Sequence, residues 1–144
     1  MSNAVLVAVD GSEGGHRALQ YAMERAKLGG AKIIIGYVIE WSPYSFNTPE
    51  ENAERHMRRE QEIDRATSSV VAPAQALLKS AGIPCETVVQ HGPVAETIIK
   101  LANEHAVKQI VVGRLGQSGI KNLIFGSVAG SLIQTSPVPV VVVP

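Results

Sequence analysis

An α/β fold built on a parallel sheet is what this sequence predicts, and three observations carry the prediction. Short runs rich in β-branched residues recur five times along the chain. Several are almost continuously apolar, the mark of parallel strands covered on both faces. The stretches between them are long enough for helices, and no Asn-Gly hairpin signal separates them. Strand and helix in alternation give a single-domain, open five-stranded parallel sheet with helices on both faces, flavodoxin-like or Rossmann-like in architecture.

The first strand covers residues 4–9 and feeds a helix over 12–28. Ala18, Leu19, Ala22, Met23 and Ala26 make one face of that helix, and Gly29-Gly30 is its stop. The second strand spans 32–39. Residues 41–65 are the least typical part: aromatics mixed with Pro and Ser, then a densely charged stretch. They read as a surface loop leading into a solvated helix, with a lid or partner surface as the other reading. That helix opens at Thr48-Pro49-Glu50-Glu51, a capping box with proline at the first helical position. Its apolar stripe continues through Ala66, Val70, Ala74, Leu77, Leu78 and Ala81, and Pro73 inside the stripe predicts a kink.

The third strand, 85–90, reads as a buried strand that starts at Cys85. Cys85 is the only cysteine, so no internal disulfide forms, and it is read as a small core residue. A third helix begins near Pro93 and buries Val94, Ala95, Ile98 and Ala102. The fourth strand spans 108–112. A last helix follows Ser127, using Val128, Leu132 and Ile133, and the last strand is 138–143.

The 144 residues are 45% hydrophobic and 18% charged, with thirteen basic residues against thirteen acidic ones. That balance argues against nucleic acid or an anionic membrane surface as the main partner, a small local basic spot aside. No apolar run approaches the roughly 18 residues of a membrane span, and the chain enters its first strand without a basic, then apolar, leader. The expected location is cytoplasmic.

Open parallel sheets bind ligands beyond the carboxyl ends of the strands, where the strand order reverses. The loop after strand 1 is Asp10-Gly11-Ser12; the loop after strand 4 runs from Gly113 through Arg114, Leu115 and Gly116 to Gly119. Gly116 is followed by nine residues and then Gly126-Ser127, which opens the last helix. Glycines let amide groups close on an anion, and a helix N-terminus adds free N–H groups and a positive dipole end. The spacing matches neither the Walker nor the dinucleotide pattern. A phosphate cradle of another kind is expected, although Ser127, Asp10 and Ser12 also suit plain helix capping and Gly113 a tight turn.

With these residues in view, the sequence resembles the universal stress protein family. Gly113-x2-Gly116-x9-Gly126-Ser127 is similar to the glycine motif of its nucleotide-binding members. The opening Val7-Ala8-Val9-Asp10-Gly11-Ser12, the His91-Gly92-Pro93 segment and the valine-rich run from Pro137 to Val143 are similar as well. The resemblance implies strand order 3-2-1-4-5, so that strands 1 and 4 flank the reversal. It implies adenine-nucleotide binding (ATP, with ADP or AMP as alternatives) with Mg. Asp10 would lie near the triphosphate and its metal, with Gly11 and Ser12 beside it. Val38 would meet adenine through its backbone. Gly113, Arg114 and Gly116 would line ribose and phosphates, and Gly126, Ser127 and Val128 would close on the phosphate tail. Leu115 departs from the Arg or His of many relatives, with Arg114 next to it. The family also implies a homodimer through the last, valine-rich strand.

His91 sits at a strand's carboxyl end, with pocket and packing roles both open; His16, His56 and His105 fall on helices without metal-ligand spacing and are read as surface groups. Lys121 is read as an exposed lysine. No second carboxylate or base is evident beside Asp10, so the expected role is a nucleotide-dependent stress-response sensor or switch in which ATP orders the loop over 116–126. A slow metal-dependent ATPase or phosphotransferase, and a nucleotide-free interaction module, are the other readings. A phospho-accepting receiver domain is excluded by Gln90-His91, where it needs an aspartate.

Overall fold

The computed structural model describes residues 3–40, 48–115 and 126–144. The expectations attached to residues 41–47, to Gly116 and to Lys121 lie outside the described residues. In chain order the elements are β1 (Ala4–Ala8), α1 (Glu13–Gly29), β2 (Lys32–Glu40), α2 (Pro49–Ala66), α3 (Ala72–Ser80), β3 (Cys85–Gly92), α4 (Val94–Glu104), β4 (Gln109–Gly113), α5 (Ser127–Thr135) and β5 (Val140–Val143). They form one five-stranded sheet in the order β3-β2-β1-β4-β5, every pair parallel. The chain moves outward from β1 to β3 on one side and then builds β4 and β5 on the other. The reversal therefore lies between β1 and β4.

Side-chain alternation divides the strands between two cores. Val5, Val7, Ile33, Ile35 and Val111 face α1 and α3, meeting Ala18, Leu19, Ala22, Ala74 and Leu78. Leu6, Ile34, Ile110 and Val112 face the other way, onto Ile98 and Leu101 of α4 and Leu132 of α5. Each such Leu or Ile contributes about 1.5–3 kcal/mol on leaving water. The near-continuous apolar runs of β1, β2 and β4 follow from burial on both sides. β3 differs from the buried strand expected at Cys85. As the sheet's outer strand it leaves Glu86 and Thr87 exposed and Cys85 half-buried.

α1 starts at Ser12, whose hydroxyl accepts from Gly15 N–H at 3.1 Å, and ends at Gly30, in the left-handed region with φ +71°. α2 has the expected capping box: Thr48 accepts from Glu51 N–H at 3.1 Å while Glu51 accepts from Thr48 N–H at 3.2 Å. Of α2 only Ala66 is buried, which agrees with the solvated-helix reading of its charged sequence. The distortion expected at Pro73 takes the form of a π turn over Thr67–Val71, where Ala72 N–H reaches back to Thr67 C=O. Proline has no N–H to give and crowds the carbonyl four residues earlier, so the turn before it widens. His105 corrects its surface assignment. It is half-buried at the C-terminus of α4, where Nδ1 donates to the Leu101 carbonyl at 3.0 Å.

Candidate functional site

The site begins where two strands stop at different heights. The last rung between β1 and β2 is Val9 N–H to Gly36 C=O, 2.9 Å, yet β2 continues to Glu40. Peptide groups alternate along a strand. Lys32 donates toward β1 (to Asn3 C=O, 3.1 Å) and Ile33 toward β3 (to Pro84 C=O, 2.9 Å). By that alternation the N–H and C=O of Val38 face the side that β1 has vacated. They open on a cavity of about 490 Å³ lined by Val38, by the loop after β1, by the end of β4 and by the start of α5. Val94, Ile98, Val128 and Ala129 give it an apolar wall.

On the β1 side, Asp10 accepts from Ser12 N–H at 2.9 Å and also from the Ser12 hydroxyl. Ser12 in turn holds Gly15 N–H. The capping reading thus holds for Ser12, with Asp10 bracing the cap, and both residues also line the cavity. Gly11 makes the turn possible with φ +82°; it is exposed and stands outside the described lining. Two glycines that the sequence reading passed over matter here. Gly14 lies so close to the Leu115 carbonyl oxygen that a Cβ would overlap it, and a Cβ on Gly15 would stand 3.1 Å from Asp10 Oδ1. Their signal was in the sequence: two glycines in the first turn of a helix are poor helix formers and imply close backbone approach.

On the β4 side, Gly113 has no positive φ, so the tight-turn explanation fails. Its glycine is required because a Cβ would sit 2.6 Å from the Gly14 carbonyl carbon. Arg114 then fixes the loop. Its N–H donates to Val143 C=O and its C=O accepts from Gly126 N–H, both at 2.8 Å. The second bond ties the N-terminus of α5 to the end of β4. Gly126 is the N-cap and Ser127 the first helical residue, and among the described residues no side chain caps this end. A helix N-terminus opening on a cavity offers N–H donors and a positive dipole end to an anion.

The charges are unevenly placed. Asp10, Glu40 and Glu62 line the cavity, with Arg114 on the β4 side. Burial raises the Tyr37 hydroxyl above its ordinary pKa, and the negative charge of Asp10 adds to the effect. His91 is not in the lining; its side chain, 12% exposed, donates from Nε2 to Glu62 at 2.8 Å. Tyr37, Glu40 and Glu62 were missed because they lie in a strand and a charged helix that resemble no binding motif.

A sequence profile described as the universal stress protein family matches residues 1–144. The chain belongs to the universal stress protein family. Universal stress protein YxiE of Bacillus subtilis is 31% identical, with 99% of each sequence covered. Among solved structures, universal stress protein UspA of Lactobacillus plantarum superposes with a TM-score of 0.84 at 22% identity, covering 98% of this chain and 97% of that one. Two other family structures are complexes. One, with cAMP, has a TM-score of 0.69 at 24% identity, covering 98% and 96% of the two chains. The other, from Archaeoglobus fulgidus with dAMP, has 0.66 at 22%, covering 100% and 98%.

Within the family fold, the described residues bring Asp10, Ser12, Val38, Gly113, Arg114, Gly126, Ser127 and Val128 to one cavity. No group of three or more His, Cys, Asp or Glu side chains is placed to hold a metal among the described residues, and none of their helices is long and apolar enough to cross a membrane.

Proposed function

We propose that this universal stress protein binds an adenine nucleotide, ATP foremost, in the cavity between β1 and β4 and acts as a nucleotide-dependent sensor or switch in the stress response. The observation that carries the reading is the pairing of two unlike ends within one cavity. The peptide edge that Val38 turns away from β3 suits the hydrogen-bonding edge of adenine, and the α5 N-terminus suits phosphate. The cAMP and dAMP complexes of family members support the same class of ligand. ADP and AMP fit the same two ends with fewer phosphates.

Mg²⁺ commonly binds through one or two carboxylates plus phosphate oxygens and water. Asp10 is the carboxylate placed to join such a set, and Ser12 holds it in position. Bound Mg²⁺ neutralises phosphate charge; this chain orients and shields the nucleotide. Hydrolysis needs, besides, a group that positions water in line with the terminal phosphate. A switch needs only that the nucleotide be held and its occupancy felt, and the strand edge and helix end around the cavity suit holding. In this reading nucleotide occupancy changes the surface the protein offers to a partner. The protein acts in the cytoplasm as a homodimer paired through β5. Purified protein incubated with Mg-ATP is expected to turn over far below one cycle per second, well under the usual enzyme range. Fast turnover without a partner, abolished by Asp10→Ala, would make it an ATPase.

A further inference from the structure

The cavity is polar in an ordered way along the sheet edge. α5 is tied to the end of β4, whereas α2 contacts β2 and β3 and reaches His91, next to the last residue of β3, through Glu62. In the order β3-β2-β1-β4 three strand spacings separate these ends, about 14 Å. Phosphate belongs at the α5 end, so the other end receives the nucleoside. Glu62 enters the cavity there, from α2.

An ionised carboxylate only accepts hydrogen bonds and would repel phosphate. At the nucleoside end it meets groups that donate, the ribose hydroxyls and the 6-amino group of adenine. Glu62 is 43% exposed in its side chain, but it is not a loose surface group. His91, 12% exposed, binds Glu62 Oε2 at 2.8 Å through Nε2. His91 is itself held on β3 opposite Ile39 of β2, so one carboxylate oxygen is pinned to the sheet and lone pairs remain for a ligand donor. A long side chain on a largely solvated helix loses rotamer freedom when it is tied in this way, and a tethered acceptor selects more sharply than a mobile one.

We propose that Glu62 is a specificity-determining residue of the nucleotide site, accepting a hydrogen bond from a donor of the nucleoside, and that His91 is its positioning residue. The inference rests on the nucleotide reading above. A ligand that replaces the donor with hydrogen or with an acceptor leaves the carboxylate facing no partner or a repulsive one.

The test is calorimetric titration with Mg-ATP, Mg-2′-deoxy-ATP and Mg-inosine triphosphate, which lacks the 6-amino group. Glu62→Met, on an exposed helix face, keeps the length of the side chain and removes the acceptor. It is expected to weaken ATP by about tenfold or more, while one analogue binds parent and variant within about twofold. Insensitivity of 2′-deoxy-ATP assigns the ribose 2′-hydroxyl; insensitivity of inosine triphosphate assigns the 6-amino group. His91→Leu is expected to reduce the same preference, His91→Gln to restore part of it, and His91→Leu added to Glu62→Met to change it no further. Equal ATP binding by Glu62→Met and the parent, or an equal loss for all three ligands, would overturn the proposal while leaving the nucleotide site standing. A folded parent that binds none of the three would instead overturn the nucleotide reading, and this inference with it.

Discussion

Single residues here shape the fold and the cavity together, and the glycines show it best. Gly113 was legible as important from its place in the glycine motif, but the reason was not. It takes no left-handed conformation; it lets β4 end against the first turn of α1, with the Gly14 carbonyl where a Cβ would be. That requirement is a contact between residues a hundred positions apart, which local sequence cannot display. Gly113→Ala is expected to destabilise the fold by about 1–3 kcal/mol, because backbone on both sides must shift. Urea unfolding measures it, and unchanged stability would show that the β4–α1 contact yields freely. Asp10 and Ser12 teach the converse lesson. Their capping role and their place in the cavity were weighed as alternatives, and one arrangement provides both.

Among the elements, strands and helices were legible because apolar periodicity and caps are local signals. β1, β2 and β4 lie close to their expected ranges, and the Thr48 capping box is present as read. A strand's own residues do not show its rank within the sheet, which came from the family resemblance and not from local pattern. β3 has the composition of a strand but lies at the edge, a fact set by topology rather than by its own residues. The π turn before Pro73 was visible only as a distortion of some kind, since the sequence names the missing donor and not the geometry that absorbs it. Ala66, at the C-terminus of α2, is its one buried residue, and the start of the helix at Glu50 to Glu54 is exposed. Loss of its cap should therefore act locally. Thr48→Ala removes a bond of about 1 kcal/mol, so amide exchange at Glu51 and Asn52 is expected to quicken by about fivefold. The urea midpoint should barely move; a large global loss would mean that the start of α2 is coupled to the core.

For the whole molecule, the order 3-2-1-4-5 is the consequential fact, since it places the β1 and β4 loops on either side of one crevice. The alternation of strands and helices alone left a flavodoxin order open. The glycine motif and its resemblance to a family narrowed it, and the observed sheet agrees. β5 ends the sheet on the other side. Pro139 and Val143 turn their carbonyls to β4, so the peptide groups of Val140 and Val142 face outward. Pairing of two copies through this edge is expected to be lost in Val142→Pro, which removes an outward N–H and spares the bonds to β4. Light scattering should show a dimer for the parent and a folded monomer for the variant; a parent that stays monomeric at high concentration would contradict the pairing.

The central claim is that the N-terminus of α5 receives the phosphates of an adenine nucleotide. Calorimetric titration of nucleotide-stripped protein with Mg-ATP, beside Ser127→Asp, tests it most directly. An aspartate in the first turn of a helix favours folding through the helix dipole, yet it sets a negative charge where phosphate would sit. The account predicts binding by the parent and a loss of at least about tenfold in Ser127→Asp, the order of one charge-assisted hydrogen bond, with thermal stability kept or raised. A folded parent that does not bind Mg-ATP, or a variant that binds it equally well, would contradict it.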